Sequence, residues 1–446
     1  MIVKTETAPF IEAFRAASHG TEPAWLAAHR EASLARFGEL GFPSRREEAW
    51  RFTDLRPVER ASWKLLDRDR PSAEVAEWQR RLSQNFTERA GSEHRLVLRS
   101  GRFAPELSQI GPLPAGAWLA STAQTLAERP DLLIDAIEAT DTAGKQPFAS
   151  LNAALFHDGF VLVLEPGVVL DRPVLIRHVD TYENVGNPQP YSLHFRNLIR
   201  LGAGSKATLT ESYFRSGSYW TNLVTAVRLA ENATLAHVRL QYEDPDRAIH
   251  FAVTRAQLAK GARLDSFSLT TGARLSRHDI VARMEGEGAR LALNGAYLLR
   301  GEQEATTAIV VDHAAAAGTT RELWKGVVDE RAHGVFLGTI QVRPDAQKTD
   351  AHQLNKNLLL SRRAHVDTKP ELEILADDVK CSHGATVGDL DENALFYLRA
   401  RGIAEPEARR MLIEAFAADA LDQVENVALR RYLAEHVQSW LSPEQP

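Results

Sequence analysis

One cysteine, Cys381, stands in a chain of 446 residues. No intrachain disulfide can form, so the fold owes nothing to oxidation, which suits a reducing compartment. A structural zinc site with two or more cysteine ligands is excluded within one chain. No apolar run approaches the roughly 18–20 residues of a membrane span. The stretch from Met1 to Phe14 carries Glu6 and Glu12 and has no apolar core of signal-peptide length, so a mature, cytoplasmic chain is expected. Basic excess is missing too. The net charge is −6, whereas a nucleic-acid surface needs a basic face. Phosphate loops of the G-x-x-x-x-G-K-[ST] type and dinucleotide loops of the G-x-G-x-x-G type are absent. So are His-Glu-x-x-His and Gly-x-Ser-x-Gly. A non-catalytic role is expected.

The length exceeds one ordinary compact core, unless a repeat stretches a single one. Three textures follow one another. Residues 1–150 read as mostly helical: Phe10, Ile11 and Phe14, then Trp25, Leu26, Leu34 and Phe37, recur at spacings near three and four. Pro23 falls where a helix begins. Residues 73–86 and 126–137 continue the helical pattern, the latter broken by Pro130, and Leu96-Val97-Leu98 reads as a short strand.

Residues 151–388 are different. Short β-rich runs at 160–164, 174–176, 193–201, 235–240, 264–269 and 291–298 alternate with turns of one kind. Leu229-Ala-Glu-Asn-Ala233-Thr-Leu235 resembles Leu258-Ala-Lys-Gly-Ala262-Arg-Leu264, and Met284-Glu-Gly-Glu-Gly-Ala289-Arg-Leu291 repeats it with one insertion. Leu360-Ser-Arg-Arg-Ala364-His-Val366 has the same length as the first two. The leucines after the turns, 209, 235, 264 and 291, lie 26, 29 and 27 residues apart. A fixed period of that size signals stacked repeats. Two or three strands per period without helices favour a parallel β-helix, with Leu264, Phe267 and Leu269 pointing inward. An antiparallel sandwich is the alternative, since its strands also recur at short intervals. The near absence of Asn-Gly hairpin turns favours the solenoid.

Residues 389–446 turn helical again. Asp391 can cap a helix to about Arg399 that Gly402 ends, and Pro406 sits near the start of the next. These helices are expected to cap the exposed end of the last coil.

Candidate chemistry concentrates between Asp345 and Gly388: Asp345, Lys348, Asp350, His352, Asp367, Lys369, Asp377, Asp378, Lys380, Cys381 and His383. Cys381 and His383 are two apart, so on a strand they share a face. A thiolate and an imidazole are good ligands for iron or zinc, and Lys380 could lower the thiol pKa. Two ligands alone do not make a site, and a small buried cysteine is the commoner case. Asn355 and Asn357 read as a turn ladder, and His313 and His352 as satisfied structural groups.

The stretch Asp345-Ala-Gln-Lys-Thr-Asp350-Ala-His-Gln-Leu-Asn-Lys-Asn-Leu-Leu-Leu360 resembles the core signature of the SufB/SufD family of iron–sulfur cluster assembly scaffold proteins. So do Asp367-Thr-Lys-Pro-Glu-Leu-Glu-Ile374 and the run ADDVKCSHGATVGDLDENALFYLRARGI from Ala376 to Ile403. Upstream, Pro43-Ser-Arg-Arg-Glu-Glu-Ala-Trp-Arg-Phe-Thr-Asp-Leu55 and Leu151-Asn-Ala-Ala-Leu-Phe-His-Asp-Gly159 resemble the family's N-terminal signature and the entry to its core. Length and the poverty in cysteine resemble the SufD branch more than the SufB branch. The resemblance implies a right-handed parallel β-helix flanked by helical regions. It implies pairing with SufB through the β-helix and docking of the SufC ATPase through residues 389–446, within a complex that builds clusters de novo. It implies that His383, with Cys381 beside it, meets iron or a transient nascent cluster at the interface with SufB. A homodimer of the isolated chain is compatible with the same surface. Two other classes stay open: a β-helix carbohydrate-active enzyme, which would need paired carboxylates and an export signal, and an interaction protein without metal chemistry.

Overall fold

The computed structural model describes residues 7, 10–12, 22–65, 93–134, 137, 146–182 and 190–442. Its centre is a β-solenoid. Strands alternate between two sheets, so that each coil contributes one strand to each. We call sheet A the one that runs from Phe160–Leu164 through Tyr191–Leu201, Tyr219–Leu229, Ile249–Leu258, Leu275–Met284, Glu304–His313 and His333–Val342 to His365–Ile374. Sheet B runs from Val174–Tyr182 through Lys206–Gly217, Thr234–Glu243, Arg263–Thr270, Arg290–Leu299, Thr319–Val328 and Asp350–Leu359 to Lys380–Gly388. Every pairing between successive coils is parallel, which excludes the sandwich.

The register shows which sequence repeats were true. Leu235, Leu264 and Leu291 stack directly, and the ladder continues through Thr320, Ala351 and Cys381. Leu209 does not belong to it. Ala207 pairs with Leu235, and Leu209 pairs with His237, two residues further along. The turn after Leu360 leads from sheet B to sheet A, so it lies at the opposite corner from the turns after Leu229 and Leu258.

Strand residues alternate between lumen and outer face, and both faces are buried. In the lumen Leu264 packs with Leu235, Leu291, Leu258 and Met284. Phe267 and Leu269, expected inside, point outward instead. They join Val238, Leu240, Ala296, Leu298 and Val327 under Ile413, Ala417, Leu421, Leu429 and Leu433. The helices Glu405–Leu421 and Val427–Leu441 therefore lie along the outer flank of sheet B rather than over the last coil. Lys325 anchors them. Its ammonium group, almost fully buried, meets Asp419 at 2.7 Å and lies 4.2 Å from the Phe416 ring centre. The corresponding flank of sheet A, at Trp220, Ile249, Phe251 and Leu275, is covered by Phe37, Phe42, Trp50, Phe148 and Leu151 of the N-terminal region.

Helix Ala24–Leu40 starts after Pro23, and strand His94–Arg99 contains Leu96-Val97-Leu98. Helix Thr122–Glu128 stops before Pro130, and residues 131–134 are again helical. Asp391 accepts hydrogen bonds from the backbone N–H groups of Asn393 and Ala394 and caps helix Glu392–Arg399, while Gly402, at φ +86°, ends that turn. The helix expected at 73–86 lies outside the described residues.

Candidate functional site at the open end of the solenoid

The last strand of each sheet, His365–Ile374 and Lys380–Gly388, has a neighbour on one side only. Since the C-terminal helices lie on the flank, the end of the lumen is left open among the described residues. Cys381 and His383 stand there. The register pairs Cys381 with Ala351 and His383 with Gln353. Both continue lumen-facing ladders, so the two side chains share the lumen face of the terminal strand, as their spacing predicts. Cys381 is half-buried against the lumen core, and His383 is exposed.

The floor beneath them is polar and closed. Gln353, 2% exposed, donates from Nε2 to Oε2 of the buried Glu322 at 2.8 Å. Burial pushes the Glu322 carboxyl up to about 7. Packing here is tight, because a Cβ on Gly338 would stand 2.2 Å from Gln353 Nε2. Alongside, Asn357 donates to Asn355 Oδ1 at 2.6 Å and accepts from the Tyr297 hydroxyl, while Asn355 donates to the Trp324 carbonyl at 3.3 Å. Asn355 and Asn357 are thus mid-strand lumen groups and not the turn ladder expected of them.

The other face of the same strands carries a separate chain of contacts. Arg321 meets Asp350 at 2.8 Å, Asp350 meets His352 Nε2 at 2.9 Å, and His352 Nδ1 meets the Ser382 hydroxyl. Lys380 belongs to that outer face, since adjacent strand residues alternate. The expectation that it lowers the Cys381 pKa is not met. Burial pushes the thiol up, only partly opposed by a hydrogen bond from the Ala351 backbone, and the Asp350 carboxylate adds to the rise. A thiol held up is a poorer nucleophile and a poorer unaided metal ligand. This shifts the weight of the site to His383.

The reactive-looking segment 345–388 is divided by the fold. Asp345, Lys348, Asp377 and Asp378 lie exposed at a corner, where Lys348, at φ +60°, donates its backbone N–H to the Asp378 carbonyl at 2.6 Å. Asp367 and Lys369 lie on sheet A. His313 is buried and structural. Its Nε2 sits 2.9 Å from the Thr320 hydroxyl, and burial pushes its pKa down to about 4.

The sequence reading missed a buried polar network in the middle of the lumen. Glu211 contacts His237 at 3.2 Å and accepts from the Tyr213 hydroxyl at 2.7 Å. Glu243 contacts His250 at 2.7 Å and accepts from Tyr219 at 3.1 Å, and Arg239 bridges His250 and His278. The signal was present: His237, Arg239, Gln241 and Glu243 alternate with Val238 and Leu240. Assigning the apolar parity to the lumen hid it.

Chemically, the open end offers one imidazole and one thiol above a buried floor in which Gln353 and Glu322 are hydrogen-bonded to each other. That is fewer donors than an iron–sulfur unit needs, and the free strand edges beside them are places where another chain can add.

Comparison with known proteins agrees with this architecture. The family model for the SUF system FeS cluster assembly SufBD core domain matches residues 184–416, and that for the SufBD protein N-terminal region matches residues 7–176. The chain is 33% identical over 430 residues to an iron–sulfur cluster assembly SufBD family protein of Synechocystis sp., covering 94% of this chain and 92% of that one. It is 30% identical over 406 residues to the iron–sulfur cluster assembly protein SufD of Escherichia coli, covering 91% and 90% respectively. To a chloroplastic protein of Arabidopsis thaliana, ABCI7, it is 30% identical over 422 residues, covering 92% and 85%. With two family models spanning most of its length and full-length relatives of this kind, the chain belongs to the SufBD family of iron–sulfur cluster assembly proteins and is a homologue of SufD.

Proposed function

We propose that the chain is a non-catalytic scaffold subunit of a cytoplasmic SUF complex, which pairs with SufB through the open end of its solenoid and binds the SufC ATPase through its C-terminal helical region. In this reading His383 presents its imidazole to iron or a nascent cluster, the cargo of the complex, and SufB supplies most of the thiolates. The observation that carries it is the placement of Cys381 and His383 on the lumen face of a terminal strand whose outer edge is unpaired. An incomplete donor set beside a free edge is what a shared interface site requires. Cys381, with its raised pKa, serves as a neighbour to the imidazole and becomes a better ligand only where a metal displaces its proton.

The C-terminal region supports the second contact. Phe396 is 72% exposed on helix Glu392–Arg399, and Tyr397 and Met411 are also exposed. Removing residues 404–446 would strip the cover from Phe267, Leu269, Leu298 and Val327, so deletion is a poor test of docking. Point substitution of the exposed aromatics is a better one.

The test is anaerobic co-purification of this chain with SufB and SufC, followed by iron and sulfide assay. The expected result is a stable complex whose iron and sulfide content falls when His383 is replaced by Ala, with subunit stoichiometry unchanged. Recovery of a homodimer that ignores both partners would support the second reading that the free edges allow, an interaction protein without metal chemistry.

A further inference from the structure

A second group of metal-ligating side chains lies apart from Cys381 and His383, on the outer face of sheet A. His333 opens strand His333–Val342 and His365 opens strand His365–Ile374, and the register pairs the two directly. Asp367 is two residues beyond His365 and shares its face. The three ligand atoms all lie within 4.8 Å of one another, and among the described residues no other trio of His, Cys, Asp or Glu is gathered so closely. His333 Nε2 is 2.8 Å and His365 Nε2 is 3.2 Å from the same oxygen, Asp367 Oδ2. The ring centres are 5.0 Å apart with planes inclined by 43°.

Two imidazoles converge with the same nitrogen on one carboxylate oxygen. In a tetrahedral site with bonds of about 2.0–2.2 Å, neighbouring donor atoms stand roughly 3.3–3.5 Å apart. The observed nitrogen–oxygen separations need only small adjustments to reach that. The ladder between the strands fixes all three Cα positions, so the donors are gathered without a folding cost at binding. His365 is 66% exposed, which leaves one side open to water or a further ligand. Two imidazoles and one carboxylate are the donor set of open zinc and ferrous sites, whereas calcium and magnesium favour oxygen alone. Nearby Lys369 is engaged by Glu48 and by Glu371, the latter at 2.8 Å, which offsets its charge.

We propose that His333, His365 and Asp367 form a surface site for a divalent first-row transition ion of the Fe2+ and Zn2+ kind, independent of the Cys381–His383 end of the lumen. Full-length chain stripped of metal with a chelator is titrated anaerobically with Co2+, whose visible absorption reports nitrogen and oxygen coordination, and Zn2+ is then added as competitor. The expected result is one Co2+ band per chain that Zn2+ displaces. It should weaken at least tenfold in affinity in a His333→Gln/His365→Gln variant and in Asp367→Asn, with circular dichroism unchanged, and persist in a Cys381→Ser/His383→Ala variant. The proposal is overturned if the unaltered chain gives no band and no heat with Zn2+. It is equally overturned if the band survives the paired histidine substitution or disappears only with Cys381 and His383.

Discussion

In the coil that begins at Arg263, the lumen position next to the turn is Leu264, 3% exposed and packed above and below by the leucines of adjacent coils. In the last coil the same position is Cys381, half-buried, and the next lumen position is the exposed His383. The ladder is one and the same. What differs is the neighbour: a middle coil has two, the last coil one. A side chain in a middle coil is therefore constrained to pack or to find a hydrogen bond, as Glu322 and Gln353 do. A side chain in the last coil is held in place by the strand but left available. Packing is complete in the closed coils, and the donor side chains left free to meet another chain stand where closure stops.

The largest expected effect is acid sensitivity confined to the closed region. Burial holds His157 down to about 3 and His313 down to about 4, and holds His178, His194 and His278 well below the ordinary imidazole value. Folded-state pKa values below the unfolded ones mean that the unfolded chain takes up the protons. Stability is then complete above about pH 6.5 and falls below it, by at most about 1.4 kcal/mol per histidine per pH unit. Urea midpoints should drop steeply between pH 7 and pH 5. A flat profile would show that these histidines are not sealed from water.

Next in size is the direct exchange between the two positions. Leu264→Ala should cost about 3 kcal/mol, within the range for a buried leucine. Cys381→Ala should cost less than about 1 kcal/mol, as a side chain with an open side loses little packing. Equal losses in urea unfolding would erase the distinction between closed and open coils.

Glu322 tests the floor of the lumen. Its carboxyl is raised to about 7, and Glu322 Oε1 and Gln353 Oε1 have no hydrogen-bond partner among the described residues. A raised acid pKa means that ionisation opposes folding, with no penalty below about pH 4.5 and the full penalty above about pH 7. Glu322→Gln should therefore stabilise by about 1–3 kcal/mol at pH 8 and progressively less toward pH 5. Destabilisation at pH 8 would contradict a buried, poorly solvated carboxyl. Smallest in stability is Phe396→Ser, expected within about 0.5 kcal/mol of the unaltered chain. It should weaken co-purification with SufC; unchanged recovery would remove the exposed aromatic from the docking surface.

The sequence announced the solenoid because its period survives in the turns, where Ala233, Ala262 and Ala289 recur before the stacked leucines. It did not announce which strand face is the lumen. Phe267 and Leu269 look like core residues, and they are, but of a second core beneath helices distant in sequence. Parity alone cannot separate two buried faces. The seat of the C-terminal helices is hidden from the sequence for the same reason: the apolar stripes of residues 405–441 match the flank of sheet B, a surface formed only once the coils stack. Cys381 and His383 shared a face as their spacing requires. The cluster of His333, His365 and Asp367 joins strands 32 residues apart at His333 and His365, and only the register brings it together.

The most decisive measurement pairs function with stability in one variant. His383→Ala is introduced into a strain lacking the subunit, and the activity of iron–sulfur enzymes is compared with the urea midpoint of the purified chain. If His383 acts at the open end, complementation is lost while the midpoint stays within about 0.5 kcal/mol of the unaltered protein. Complementation equal to that of the unaltered chain would contradict that role.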